Sequence, residues 1–155
     1  MIMSLENYLN DLVERGLLKR EVIGIDQIKA FIKSAKRNLS VAEKIFEIDE
    51  EACFSMAYSS MLKIARALVY LNGHRPDDGA QHKTTIEVAG RILGTDFTLL
   101  IDKFDRMRKK RNEFTYDPLI PLGKEETKNA LNTAKEFYNK VKEFLMSKEP
   151  QLRLF

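Results

Sequence analysis

The sequence predicts an all-α protein, an antiparallel up-down bundle of about five to six helices that forms a single domain over 1–155. Through most of the chain, apolar side chains recur every three or four positions, which is the spacing of a buried helical face. Only 4 prolines and 7 glycines are present among 155 residues, and no stretch alternates polar and apolar side chains as a half-exposed strand does. A chain of this length can bury one hydrophobic core, so we expect one domain.

Composition narrows the functional classes. The single cysteine, Cys53, excludes a disulfide scaffold and a cysteine-cluster metal site. Charged side chains interrupt the longest apolar stretch, 52–71, and residues 1–10 do not follow the pattern of a signal peptide. We therefore expect a soluble cytoplasmic protein that has no membrane contact, no cofactor and no metal. The net charge of +3 means that any binding of polyanions must come from local clusters of charge.

Two amphipathic helices are predicted in the first third of the chain. In the first, apolar side chains share one face of 5–13, with Ser4 placed to cap the helix and Gly16 placed to stop it. We expect 1–24 to be this short helix and a linker. Asp26 can cap the second helix. The seam of the second helix comprises Ile28, Ile32, Ala35, Leu39, Ala42 and Phe46.

The central helix of the bundle is predicted from about Glu50 to Leu71, because this segment is apolar on more than one face. Asn72 and Gly73 have the residue types that end a helix. The stretch 74–82 is predicted to be a loop, since turn-forming residues crowd it. These residues are Pro76, Asp77, Asp78 and Gly79.

A short helix is predicted next. Thr84 and Glu87 have the spacing of a capping box, and Gly94 can end the helix that they begin. Either Thr95 or Asp96 can then cap the following helix, because hydroxyl and carboxylate side chains accept hydrogen bonds from the first free backbone N–H groups.

The last two helices complete the predicted bundle. Pro118 disfavours helical geometry at the residue before it, so the first of them ends near Tyr116. Glu125 and Glu126 lie in the first turn of the final helix, where acidic residues favour the helix dipole. We expect a loose tail over 147–155. The buried stripe of the penultimate helix begins with Phe97, Leu100, Ile101 and Phe104.

A run of basic residues ends the penultimate helix, since every position from Arg106 to Arg111 except Met107 is basic. Arg111 follows Phe104 by seven positions and therefore falls on the buried stripe. It must pair with a carboxylate or carbonyl, or bind an external anion. The remaining cations of the basic patch point outward, where they complement the helix dipole. They are Arg106, Lys109 and Lys110.

The stretch 111–116, Arg-Asn-Glu-Phe-Thr-Tyr, resembles the signature of HEPN domains, in which an arginine and an asparagine precede a histidine after three further residues. The order of elements is similar too, with a long central helix, a His74-Arg75-Pro76 turn, a short helix and then the helix that carries the arginine. Within the superfamily, the chain looks most like an archaeal and bacterial subgroup. The resemblance covers about 26–146.

The resemblance implies a homodimer whose interface cleft is lined by the motif. Catalytic HEPN proteins are metal-independent ribonucleases that use the arginine and the histidine. Arg111, Asn112 and Tyr116 are the corresponding catalytic candidates, and with Arg108 they are the candidate ligand-binding residues. Tyr116 occupies the histidine position. A histidine, which titrates near about pH 6.5, can act as a general base, whereas a phenol, which titrates near about pH 10, is a poor one.

The favoured function is therefore that of a binding or accessory protein. The resemblance implies RNA, a nucleotide or a minimal nucleotidyltransferase as the partner, in a toxin–antitoxin or defence-like system. Two alternatives stay open: a metal-independent ribonuclease that uses Arg111 with an unconventional base, and a purely structural dimerisation module. His74 and His82, the two histidines, are interpreted as exposed loop residues without a role.

Overall fold

The computed structural model describes residues 3–77, 79 and 81–153. Six α-helices lie within these residues, which confirms the predicted all-α class. In chain order they are α1 (Leu5–Glu14), α2 (Ile25–Ile45), α3 (Glu50–Leu71), α4 (Gln81–Leu93), α5 (Thr98–Tyr116) and α6 (Lys124–Lys148). None of the helices in the described part of the chain has the length and apolar character needed to cross a membrane.

Helix α3 is the centre of the bundle and contacts α2, α4, α5 and α6. Both of its ends are at the predicted residues. The side chain of Asp49 accepts a hydrogen bond from the N–H of Ala52 at 3.0 Å, which caps the first turn. Gly73, with φ of 78°, takes the left-handed conformation that lets the chain leave the helix.

Two short strands were not predicted. Strand β1 (Leu18–Arg20) lies in the expected linker, and β2 (His74–Pro76) lies in the expected loop. They pair antiparallel, with Leu18 opposite Pro76. The pairing closes a small second core of buried residues against α1, which comprises Leu9, Leu12, Leu18, Val69 and Val88.

Three predicted helix starts are corrected. Helix α2 is capped at Gly24 and not at Asp26, which lies in its first turn. Helix α4 begins at Gln81, so Thr84 lies inside the helix and not at its start. A 3₁₀ turn over Thr95–Phe97 precedes α5, whose cap residue Phe97 has no capping side chain. Capping patterns also occur within helices, which explains these errors.

The C-terminal segment is more ordered than the expected loose tail. Helix α6 continues to Lys148, and a 3₁₀ turn over Pro150–Leu152 follows it. Leu152 is fully buried in the main core. The last two residues of the expected tail, 154 and 155, lie outside the described residues, as does Asp78 of the expected loop.

Candidate functional site

Helix α5 divides the basic run between its two sides. Because successive residues turn by about 100°, its buried residues, such as Phe104 and Met107, lie between two sets of cations. Arg108 and Arg111 lie on the side that faces α3 and α4. Arg106 lies on the side that faces α6. The cations that the sequence groups in one run therefore have different surroundings in the structure.

Arg111 lies against an aromatic ring and not against a carboxylate. Its guanidinium carbon is 5.8 Å from the centre of the Tyr58 ring, and the side chain is half-buried. Among the described residues it has no ion pair. Glu113 is exposed, and Asp117 uses its carboxylate to accept the N–H of Leu119 at 3.0 Å. Neither residue supplies a carboxylate partner to Arg111 within the described chain.

Tyr58 connects α3 to the start of α4. Its hydroxyl lies 3.0 Å from Nδ1 of His82, and its ring contacts Phe104 with the ring centres 5.7 Å apart. Burial raises the pKa of Tyr58 to about 12, although the charges of Arg111, Arg108 and Arg66 act in the opposite direction. The phenol is therefore protonated at neutral pH and can share a hydrogen bond with a neutral imidazole.

His82 is not the exposed loop residue that the sequence suggested. It lies in the first turn of α4, half-buried and with Nδ1 at the Tyr58 hydroxyl. Burial lowers the pKa of His82, and the charges of Arg66, Arg111 and Arg108 lower it further. His82 is thus neutral at pH 7. His74 is also half-buried, in β2, and its Nδ1 lies 2.7 Å from the carbonyl oxygen of Asn72.

These side chains form what we call the arginine–histidine cluster, which consists of Tyr58, Arg66, His82, Arg108 and Arg111. Arg108 is neutralised by Asp105, which lies 2.9 Å away and also meets Lys109 at 3.4 Å. Partial burial would raise the pKa of Asp105, but hydrogen bonds and charges from Arg108 and Lys109 lower it overall. Arg66 and Arg111 have no carboxylate partner in the described part of the chain. The cluster therefore has unbalanced positive charge.

The other motif residues do not join this cluster. Tyr116 is 86% exposed at the end of α5. Asn112 is half-buried, and its side chain makes no hydrogen bond to a described residue. Lys109 lies on the outer surface of α5, and Lys110 lies 3.6 Å from Glu126 of α6. Within the described residues, no group of three or more histidine, cysteine, aspartate or glutamate side chains could hold a metal ion.

Sequence reasoning missed Tyr58, Arg66 and His82. One usable signal was the eight-residue interval between Tyr58 and Arg66, which is close to two helical turns and places both residues on one side of α3. The meeting of His82 with Tyr58 has no such local signal, because the two residues belong to different helices.

Comparison with known protein families supports the HEPN superfamily. The HEPN domain family matches residues 28–144, a range that contains the whole arginine–histidine cluster. No curated protein matches the chain. The family match indicates, in general terms, a role related to nucleotides or RNA. With its helical fold and a family match over most of its length, the chain belongs to the HEPN domain family.

Proposed function

We propose that this chain is a HEPN-type binding or accessory protein that binds a phosphate group of RNA or of a nucleotide at the arginine–histidine cluster. The observation that carries the proposal is the position of Arg111, whose guanidinium lies on the Tyr58 ring without a carboxylate partner among the described residues. Asn112 and Tyr116 lie further along the same helix, where they are placed to extend the surface for a longer ligand.

An external anion suits this arrangement physically. A half-buried guanidinium has lost part of its hydration, and a phosphate restores hydrogen bonds to it in a bidentate geometry. The ring of Tyr58 supports the guanidinium from one side, so its donors are oriented before the ligand arrives. Arg66 adds a second charge that no described carboxylate offsets. Binding at this cluster should therefore weaken as salt rises.

The oligomeric state and the partner belong to the same proposal. HEPN domains commonly dimerise, and we propose a twofold homodimer in which the arginine–histidine cluster faces the interface cleft. A minimal nucleotidyltransferase in a toxin–antitoxin or defence-like system is the partner that the family resemblance suggests, and the cytoplasm is the proposed location. The purely structural alternative, in which Arg111 only closes the dimer interface, predicts a dimer without RNA affinity.

The experiment measures the affinity of the purified protein for labelled single-stranded RNA at several salt concentrations. Arg111→Ala should weaken binding at least about tenfold, or about 1.4 kcal/mol. Lys109→Ala is the matched control, because Lys109 is on the same helix but is exposed and pairs with Asp105. We expect a change of about twofold or less for this control. If Lys109→Ala and Lys110→Ala abolished binding and Arg111→Ala did not, a simple surface patch would replace the cluster as the site.

A second candidate function is metal-independent RNA cleavage, and the position of His82 is the observation that favours it. A neutral histidine near Arg111 could accept the proton of a ribose 2′-hydroxyl, which is the role that Tyr116 fills poorly. We nevertheless expect cleavage at background level at neutral pH, because the histidine of the motif is replaced. Cleavage by the wild-type protein in the presence of chelator would support the ribonuclease function, provided that both Arg111→Ala and His82→Ala abolished it. Loss in Tyr116→Phe would instead implicate the phenol.

A further inference from the structure

The hydroxyl of Tyr58 has one hydrogen-bond partner among the described residues, and this partner determines the direction of the bond. Tyr58 is 1% exposed, so solvent does not satisfy its hydroxyl. Nδ1 of His82 lies 3.0 Å from the hydroxyl oxygen. A buried O–H group without an acceptor carries a free-energy cost. The hydroxyl of Tyr58 therefore donates to Nδ1 of His82, which accepts with its lone pair.

This hydrogen bond fixes the tautomer of His82. A neutral imidazole has a proton on only one of its two ring nitrogens. Because Nδ1 accepts from Tyr58, the proton of the neutral ring lies on Nε2. Burial and the charges of three neighbouring arginines lower the pKa of His82, so the neutral form is present at pH 7. Nε2 of His82 makes no hydrogen bond to a described residue and is not fully buried, so it reaches solvent.

His74 has the opposite arrangement, although both histidines are half-buried. Its Nδ1 lies 2.7 Å from the backbone carbonyl oxygen of Asn72, and a carbonyl oxygen can only accept. Nδ1 of His74 therefore carries a proton, whereas Nδ1 of His82 does not. Because one ring nitrogen faces an acceptor and the other faces a donor, His74 is an internal reference for the tautomer of His82.

We propose that Tyr58 is a positioning residue, which holds His82 as the Nε2–H tautomer so that the ring donates a hydrogen bond to an oxyanion bound at the arginine–histidine cluster. The donation rests on the function proposed above, whereas the tautomer does not. The guanidinium groups of Arg66 and Arg111 carry only donors, and Nε2–H adds another without adding charge. His82 has no free lone pair at neutral pH, because Nδ1 is occupied and Nε2 is protonated. It can accept a ribose proton only after the Tyr58 hydrogen bond breaks, which is a second reason to expect cleavage at background level.

The tautomers are measured by long-range proton–nitrogen NMR of the labelled full chain at about pH 7.5, without ligand. Nδ1 of His82 should resonate as an unprotonated nitrogen, and Nδ1 of His74 as a protonated one. Tyr58→Phe removes the hydroxyl but keeps the ring that lies against Arg111. The Nε2–H form of His82 should then no longer be exclusive, and the pKa of His82 should rise, because the neutral ring loses a hydrogen bond. Tyr138→Phe is the matched control, since its hydroxyl is also buried but has no partner, and it should leave His82 unchanged.

The donor role is tested by the affinity for single-stranded RNA at about pH 7.5. His82→Gln keeps an N–H donor and should bind within about twofold of the wild type. His82→Phe removes the donor and should weaken binding at least about fivefold.

A proton on Nδ1 of His82 in the wild type, or an unchanged tautomer and pKa in Tyr58→Phe, would overturn the role of Tyr58. Equal RNA affinity of His82→Gln and His82→Phe would overturn the donor role. If the wild type bound no RNA, or if Arg111→Ala bound it equally well, the proposed function would fail and the donor role with it. The tautomer measurement would be unaffected, because it uses the unliganded protein.

Discussion

The two sides of α5 draw their cations from neighbouring positions in one segment, yet they differ in almost every physical respect. On the side of α3 and α4, Arg111 is half-buried, lies against an aromatic ring and has a histidine in its surroundings. On the side of α6, Arg106 is exposed in an open groove with amides and carboxylates opposite. The first environment suits a phosphate held by oriented, partly dehydrated donors. The second leaves Arg106 in contact with solvent.

The difference shows that the basic run is not one functional unit. Helical periodicity sends residues that are two or three positions apart to different sides of α5, so adjacent cations meet unrelated helices. Asp105 forms ion pairs with both Arg108 and Lys109, and Glu126 forms one with Lys110. Arg106 and Arg111, at the two ends of the run, are the residues that described carboxylates leave unpaired. A count of basic residues would have ranked all of them equally.

The largest expected effect concerns the buried residues that separate the two sides. Phe104 is fully buried, with its ring centre 5.7 Å from that of Tyr58 and 5.1 Å from that of Phe137. Phe104→Ala should lower the free energy of unfolding by about 3–5 kcal/mol, because it removes buried apolar contacts and leaves a cavity. Denaturant unfolding measures the change.

Leu99→Ala is the matched control for this prediction, since Leu99 is on the same helix and is 65% exposed. Leu99→Ala should change the free energy of unfolding by no more than about 0.5 kcal/mol. A loss below about 1 kcal/mol for Phe104→Ala would contradict the prediction and mean that the two sides are not held apart by a tightly packed core.

Local sequence signals were sufficient for the elements that local interactions determine. Helix α3 begins and ends where its apolar pattern and its Asn72–Gly73 stop predict. The pairing of β1 with β2 could not be predicted in this way, because it joins Leu18 to Pro76 over a large separation in sequence. Leu152 was missed for a related reason: a single apolar residue after a proline has no periodicity, and its burial depends on where α2 and α6 place it.

The candidate site, too, could be predicted from the sequence only in part. The inward position of Arg111 follows from its spacing to Phe104, and the structure places it beside the core as expected. The neighbours of Arg111 could not be predicted from this spacing, because Tyr58 and His82 come from α3 and α4 and meet only in the folded chain. The sequence could therefore state that Arg111 needs a partner, but it could not identify an aromatic ring and a histidine as its neighbours.

The presence of a histidine on only one side of α5 leads to a prediction about pH. Burial and the charges of Arg66, Arg111 and Arg108 lower the pKa of His82, so it is neutral at pH 7 and gains charge only below about pH 6.5. A bound phosphodiester would favour the charged form. RNA affinity should therefore rise as the pH falls from about 7.5 to 5.5, because binding then takes up a proton at His82. The unliganded protein should lose stability over the same range, because the unfolded chain takes up the proton first.

Uridine-only RNA is the appropriate ligand for this measurement, because neither its phosphodiesters nor its bases titrate in this range. His82→Gln should make the affinity nearly independent of pH, whereas His74→Gln should not. A pH dependence that persisted in His82→Gln would show that another group is responsible.

The smallest expected effect concerns the ion pair that closes one end of the groove. Lys110 and Glu126 are 3.6 Å apart and partly exposed, so Glu126→Gln should lower the free energy of unfolding by no more than about 1 kcal/mol. The substitution also leaves the ammonium group of Lys110 without this carboxylate. RNA affinity at the arginine–histidine cluster should stay the same, because Glu126 does not contact it. If Glu126→Gln raised RNA affinity by more than about twofold, the two sides of α5 would share one electrostatic field and would not be independent.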